Sequence, residues 1–86
     1  STTYDVIVTF PSELKNVTLS LKNGEVTSEN PISTDEKTFI FKNVGTFKAG
    51  VEQSDNLTLT FNLDNSNVSS NVWKNIQISI NATQID

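Results

Sequence analysis

Three segments of the chain alternate apolar and polar residues with a strict period of two. Successive side chains of a β-strand point to opposite faces, so each segment predicts a strand with one buried face and one solvent-facing face. Strands of this type are typical of antiparallel sheets. The apolar positions are Val17, Leu19 and Leu21 in the first segment, Leu57, Leu59, Phe61 and Leu63 in the second, and Ile76, Ile78, Ile80 and Ala82 in the third.

Two further segments, residues 4–10 and 38–44, are rich in β-branched and aromatic residues, which favour strands. Shorter stretches near residues 25–27 and 45–48 complete the predicted set. No helical periodicity persists over a comparable length anywhere in the chain. The sequence therefore predicts an all-β protein.

Turn signals separate the predicted strands. The pair Asn23 and Gly24, between two strand-like stretches, is the strongest hairpin signal available, and Pro31 interrupts the chain before the next strand. Short strands separated by turns at regular spacing are typical of sandwiches and barrels. We predict a single domain over residues 1–86, an Ig-like antiparallel two-sheet sandwich of about seven strands.

The predicted core is thin for a chain of this length. Hydrophobic residues make up 35% of the 86 residues, below the ~45–50% of ordinary globular domains, a count that includes glycine. The three glycines do not close this difference. Disulfides, metals or association with other chains usually reinforce such small cores. Because the chain has no cysteine and no histidine, association is the reinforcement that we expect.

The polar residues are mostly uncharged. The chain contains eleven Asn, eleven Thr and ten Ser, but only six Lys and no Arg, and its formal net charge is −4. Without a basic patch, nucleic acid and anionic membrane surfaces are poor partners. No apolar run approaches the ~20 residues that span a bilayer, so we expect no membrane insertion. This composition is typical of secreted and cell-surface β-domains, and we expect an extracellular or cell-surface location.

The sequence offers little catalytic chemistry. Nucleophile–histidine pairs are excluded by composition, and the ten acidic residues fall in turns, at strand ends or at solvent-facing strand positions. The polar segment 64–67 has one carboxylate, and it lacks the glycine and the closing glutamate of a calcium loop. We therefore predict a protein that is not an enzyme and that has no cofactor and no metal site.

Two sets of residues are candidates for binding. Trp73 with Asn65, Asn67 and Asn71 forms the first, because an aromatic face and amide groups suit sugar hydroxyls; the alternative is that Trp73 lies in the core or at its rim. The second is an intermolecular edge strand within residues 4–10, which carry one charge and no internal proline. Its apolar positions are Tyr4, Val6, Val8 and Phe10, and the alternative is that this strand pairs within its own domain.

The C-terminal half resembles two groups of bacterial proteins. Residues 47–52 (FKAGVE), followed by the alternating residues 57–61 (LTLTF), are similar to a passage of bacterial Ig-like surface domains. Residues 74–84 (KNIQISINATQ) resemble the closing strand of TasA/camelysin-like exported proteins. The resemblance implies a sandwich fold and a role in biofilm matrix fibres or at the cell surface. The metalloprotease activity attributed to camelysins has no support, because no histidine is present to hold a metal.

These observations leave two functional hypotheses. The first, which the thin core and the missing catalytic residues favour, is a non-enzymatic structural or assembly module whose partners are other protein chains of a bacterial or phage surface structure or matrix fibre. The second is a glycan- or protein-binding module of an adhesin or a carbohydrate-active enzyme, with its site on loops at one end of the sandwich.

Overall fold

A computed structural model describes residues 1–14, 17–63 and 74–85 of the chain. These residues form a small all-β sandwich of two antiparallel sheets with three strands each. One sheet has the strand order β4-β1-β6 and the other has the order β3-β2-β5. The strands are β1 (Thr2–Thr9), β2 (Val17–Asn23), β3 (Val26–Glu29), β4 (Thr38–Phe47), β5 (Leu57–Leu63) and β6 (Gln77–Gln84).

A tight hairpin joins β2 to β3. Asn23 pairs with Val26, so Gly24 and Glu25 are the two residues of the loop. Gly24 has a φ of 62°, in the left-handed region that glycine adopts without a steric penalty and that hairpin turns of this length require. The predicted hairpin therefore forms, with its loop one residue later than the pair Asn23 and Gly24.

The long strand β4 contains an irregularity opposite Asp5. Tyr4 pairs with Gly45 but Val6 pairs with Phe41, so three residues of β4 stand against one residue of β1. The Asp5 carboxylate accepts hydrogen bonds from the Lys42 ammonium and from the Asn43 N–H, both at 2.8 Å. These two interactions lower the pKa of Asp5 below its ordinary value, and they hold the bulged backbone in place.

This bulge changes the predicted number of strands. The sequence predicts residues 38–44 and 45–48 as separate strands, whereas β4 runs without a break from Thr38 to Phe47. The bulge absorbs the extra residues, so the pairing with β1 resumes at Gly45. The described residues consequently form six strands instead of about seven.

The core lies between the two sheets and is built around alternate residues of β1. Tyr4, Val6 and Val8 are almost completely buried, and so is Phe10 just beyond the strand. The facing sheet contributes Leu19 and Leu21 from β2. The rest of the buried hydrophobic cluster is Leu14, Phe39, Phe41 and Val44.

The prediction that Tyr4, Val6, Val8 and Phe10 belong to an intermolecular edge strand is wrong for this fold. Strand β1 is the central strand of its sheet, with β4 on one side and β6 on the other. Beyond β1, the Phe10 N–H donates to the carbonyl of Lys37 at 2.9 Å. With β1 paired along both sides, its backbone groups are not free to receive a strand of another chain.

Candidate functional site

The two sides of the sandwich differ in how well their outer strands are protected. Natural sheets protect edge strands with charges, prolines, bulges, short length or a covering loop. We call the side formed by β3 and β4 the closed side, and the side formed by β5 and β6 the open side.

The closed side carries several of these protective features. Strand β3 has only four residues and ends at Glu29. Strand β4 is bulged and carries Lys42. Its outer edge is occupied at Ile40, whose N–H and C=O exchange hydrogen bonds of 2.9 Å with Ile32. An added strand from another chain would therefore meet a charged, irregular and partly occupied edge.

Among residues 1–14, 17–63 and 74–85, the open side lacks these features. Strand β6 has eight residues, none of them charged and none proline, and it pairs with β1 in an unbroken register. Strand β5 is also free of charged residues and of proline. Among the strands that the structure describes, β6 pairs only with β1, and β5 pairs only with β2. A long, regular, uncharged edge of this kind is a template for pairing with another chain.

Apolar side chains at this edge are more than half exposed. Ile78 stands opposite Val8 and Ile80 stands opposite Val6, so both isoleucines share the core-facing side of the sheet. Their β1 neighbours are at most 2% exposed, whereas Ile78 is 58% and Ile80 is 55% exposed. The apolar core-facing side of this sheet therefore extends to β6, where its side chains are exposed to solvent.

The backbone of β6 also points outward at these positions. Ile85 donates a hydrogen bond of 2.8 Å to the carbonyl of Ser1, so odd-numbered residues of this strand face β1. Hydrogen-bonding direction alternates along an antiparallel strand. The N–H and C=O groups of Ile78, Ile80 and Ala82 therefore face away from β1, at an edge that no other described strand occupies.

A groove of about 220 Å³ opens beside this edge, between the two sheets. Ile80 and Ala82 of β6 line one wall, and Leu57 of β5 lines the other. Tyr4 and Phe47, whose rings stack with centroids 5.4 Å apart, contribute to its lining. The lining is mostly apolar, and it suits side chains that extend the core.

A polar network lies beside the groove, which Tyr4 and Asp55 both line. The Tyr4 hydroxyl donates to Oδ2 of Asp55 at 2.5 Å. Asn23 donates from Nδ2 to the same oxygen at 3.4 Å and to the Val44 carbonyl at 3.0 Å. Because Tyr4 and Asn23 belong to different sheets, the network connects the two sheets. Gly45 lies beside Tyr4 and Asp55, where a larger residue would not fit.

The hydroxyl of Tyr4 is strongly perturbed. Burial, the hydrogen bond to Asp55 and the negative charge of that carboxylate together raise the pKa of Tyr4 from 10.0 to about 12. All three causes act in one direction because each disfavours the phenolate.

We expect this perturbation to be directly measurable, since Tyr4 is the only tyrosine of the chain. The near-ultraviolet absorbance of the phenolate should report a midpoint near pH 12. The folded-state pKa lies above the unfolded value, so its contribution to stability is fully present below pH 10 and is lost as the pH rises toward 12.

The controls for this titration are Asp55→Asn and Tyr4→Phe. Asp55→Asn removes the charge and should lower the Tyr4 midpoint, and Tyr4→Phe should remove the absorbance change. A midpoint at the ordinary value in the folded wild-type protein would contradict the Tyr4–Asp55 hydrogen bond.

The residues predicted to contact a sugar lie outside the described residues; they are Trp73, Asn65, Asn67 and Asn71. The polar segment 64–67 also lies outside them. The glycan-contact hypothesis therefore stays a prediction.

Within residues 1–14, 17–63 and 74–85, no three acidic side chains come together as a metal site would require. No helix among the described residues is long and apolar enough to cross a membrane.

Sequence reasoning missed the edge at β6, although a signal was present. Residues 75–85 contain no charged residue, which is unusual for the solvent-facing half of an alternating strand.

Comparisons with models of protein families, with curated proteins and with solved structures found no match.

Proposed function

We propose that this chain is a non-enzymatic structural or assembly module of an extracellular surface structure, and that it associates with other protein chains through its open side. The observation that carries the proposal is the free edge of β6, which is uncharged, regular and flanked by the exposed side chains of Ile78 and Ile80. Addition of a strand to such an edge is a common mode of protein association.

The asymmetry of the sandwich supports this proposal. If the free edge of β6 had no partner, selection against aggregation would favour a lysine, a proline or a bulge on it, as seen for Lys42 and the bulge of β4. In the part of the chain that the structure describes, the protection is confined to the side where β3 and β4 lie. An added strand on β6 would bury Ile78 and Ile80 and would enlarge a core that is thin for 86 residues.

Composition supports the extracellular part of the proposal. A surface rich in Asn, Thr and Ser with a net charge of −4 is typical of secreted β-domains, and the C-terminal half resembles surface and matrix proteins. The Ig-like class and the role in a bacterial surface, a matrix fibre or a phage belong to the same proposal. No reaction is assigned, because the sequence contains neither histidine nor cysteine.

Light scattering over a wide concentration range tests the proposal, with electron microscopy of the concentrated sample. We expect the molar mass to rise with concentration, while circular dichroism shows an unchanged β-fold. A folded protein that stays monomeric at every concentration would contradict self-assembly through the open side. The glycan screen centred on Trp73 would then be the next experiment.

A further inference from the structure

We infer that the strand added to β6 is β6 of a second copy of this chain, paired antiparallel about a twofold axis at Ile80. The inference rests on the proposed function and names its partner. This pairing joins the β4-β1-β6 sheet of one copy to the same sheet of the other copy. The result is one continuous six-stranded sheet with the order β4-β1-β6-β6-β1-β4.

The charge distribution allows two copies to meet at this edge. Each copy carries a net charge of −4, so two copies repel each other where their acidic residues meet. The stretch 75–85 has no charged residue. Approach along β6 therefore brings two acidic molecules together at their neutral surface, where neither like charges nor unpaired ions are buried.

The backbone of β6 is complementary to itself. Its even-numbered residues direct N–H and C=O groups to the free edge, and a twofold axis through Ile80 places each even-numbered residue opposite another. Ile80 then stands opposite Ile80 of the second copy, and Ile78 stands opposite Ala82. These three residue pairs exchange about six hydrogen bonds, two for each pair.

The side chains match in the same register. The core-facing pairs are apolar on both strands, and the solvent-facing pairs are polar, with Ser79 opposite Asn81 and Gln77 opposite Thr83. An axis at Asn81 would place Gln84 opposite Ile78, and an axis at Ser79 would shorten the overlap of the two strands. The axis at Ile80 pairs residues 77–83 of the two strands without a polar residue against an isoleucine in that range.

The test compares Ile80→Lys with Val26→Lys. Both residues are more than half exposed on outer strands of the sandwich, so either change adds the same charge at little cost to the folded monomer. Ile80→Lys places two ammonium groups opposite each other at the axis, and we expect the dissociation constant of the dimer to rise about tenfold or more. Val26→Lys, on β3, should leave this dissociation constant unchanged.

A cross-linking measurement keeps the inference testable if lysine disturbs the strand. The chain has no cysteine, so Ile80→Cys introduces one thiol per copy. Across the axis the two Cα atoms would lie about 5.5 Å apart, a separation that a disulfide spans. Mild oxidation of dilute protein should link Ile80→Cys into dimers much faster than Val26→Cys.

The outcomes separate this inference from the proposed function. Wild-type association that Ile80→Lys weakens and Val26→Lys does not, with selective cross-linking at position 80, supports the β6 pairing. Association that both lysine variants retain equally overturns the pairing but leaves the assembly module in place. A wild-type chain that is monomeric at all concentrations overturns both.

Discussion

Replacing Phe10 with alanine should lower the free energy of unfolding by about 4 kcal/mol. Phe10 is only 1% exposed, and it contacts Phe39 and Phe61 edge to face, with ring centroids 5.7 Å and 6.1 Å apart. Phe39 belongs to β4 and Phe61 to β5, so this ring joins the two sheets. Its removal leaves a cavity at the point where the sheets meet.

The effect is large relative to the total stability of so small a domain. A chain of this length has a free energy of unfolding of roughly 4–13 kcal/mol, and the thin core places it toward the lower end. We therefore expect Phe10→Ala to be partly unfolded at room temperature. Urea denaturation followed by circular dichroism measures the change.

Two variants serve as matched controls for this prediction. Phe10→Leu keeps part of the volume and should cost about 1–2 kcal/mol. Val51→Ala removes apolar atoms from a side chain that is 56% exposed, and should change stability by less than about 0.5 kcal/mol. If Phe10→Ala and Val51→Ala had similar effects, Phe10 would not be the contact between the sheets.

Alternation predicts most of the strands because it reflects the face that each strand buries. The predicted segment 57–63 coincides with β5, and segment 17–21 lies within β2. The bulge in β4 is less visible in the sequence, since it depends on the Asp5 carboxylate binding the Asn43 N–H from another strand. That long-range contact explains why two predicted strands are one.

Strand order is harder to predict than strand position. Tyr4, Val6 and Val8 alternate as an edge strand would, but alternation specifies the buried face and not the neighbours on either side. Strand β1 has two neighbours, and both come from distant parts of the chain. Among the described strands, β6 is an outer strand of that sheet, and its lack of charge indicates an edge for association better than its β-propensity does.

The polar network at the open side has no local signal in the sequence. Tyr4 and Asp55 are 51 residues apart, and Asn23 reaches Asp55 from the end of β2. Only the packing of the two sheets brings them together. Gly45 is equally unremarkable in the sequence, yet the structure gives it no room for a side chain.

Substituting Gly45 with alanine should therefore destabilise the protein by about 3 kcal/mol. A Cβ at this position would lie 2.6 Å from Oδ2 of Asp55 and 2.7 Å from the ring and the hydroxyl of Tyr4. Since Tyr4 is a buried core residue, it cannot move away without opening the core. Both contacts are too close for a methyl group, so the ring and the carboxylate must both shift, which strains the core and breaks the hydrogen bond between the two side chains.

Gly24→Ala is the matched control for Gly45→Ala. A Cβ at Gly24 meets no atom within 4 Å, and only the left-handed backbone opposes the change, at a cost of about 1 kcal/mol. Gly45→Ala should also lower the titration midpoint of Tyr4 from about 12 toward 10.0, because the hydrogen bond to Asp55 is lost. Gly24→Ala should leave this midpoint unchanged.

A double variant tests the role of the carboxylate. Introducing Asp55→Ala as well removes the oxygen that the new methyl group would strike, so the cost of Gly45→Ala should fall in that background. Equal costs in the two backgrounds would mean that the methyl group does not act through the Asp55 carboxylate.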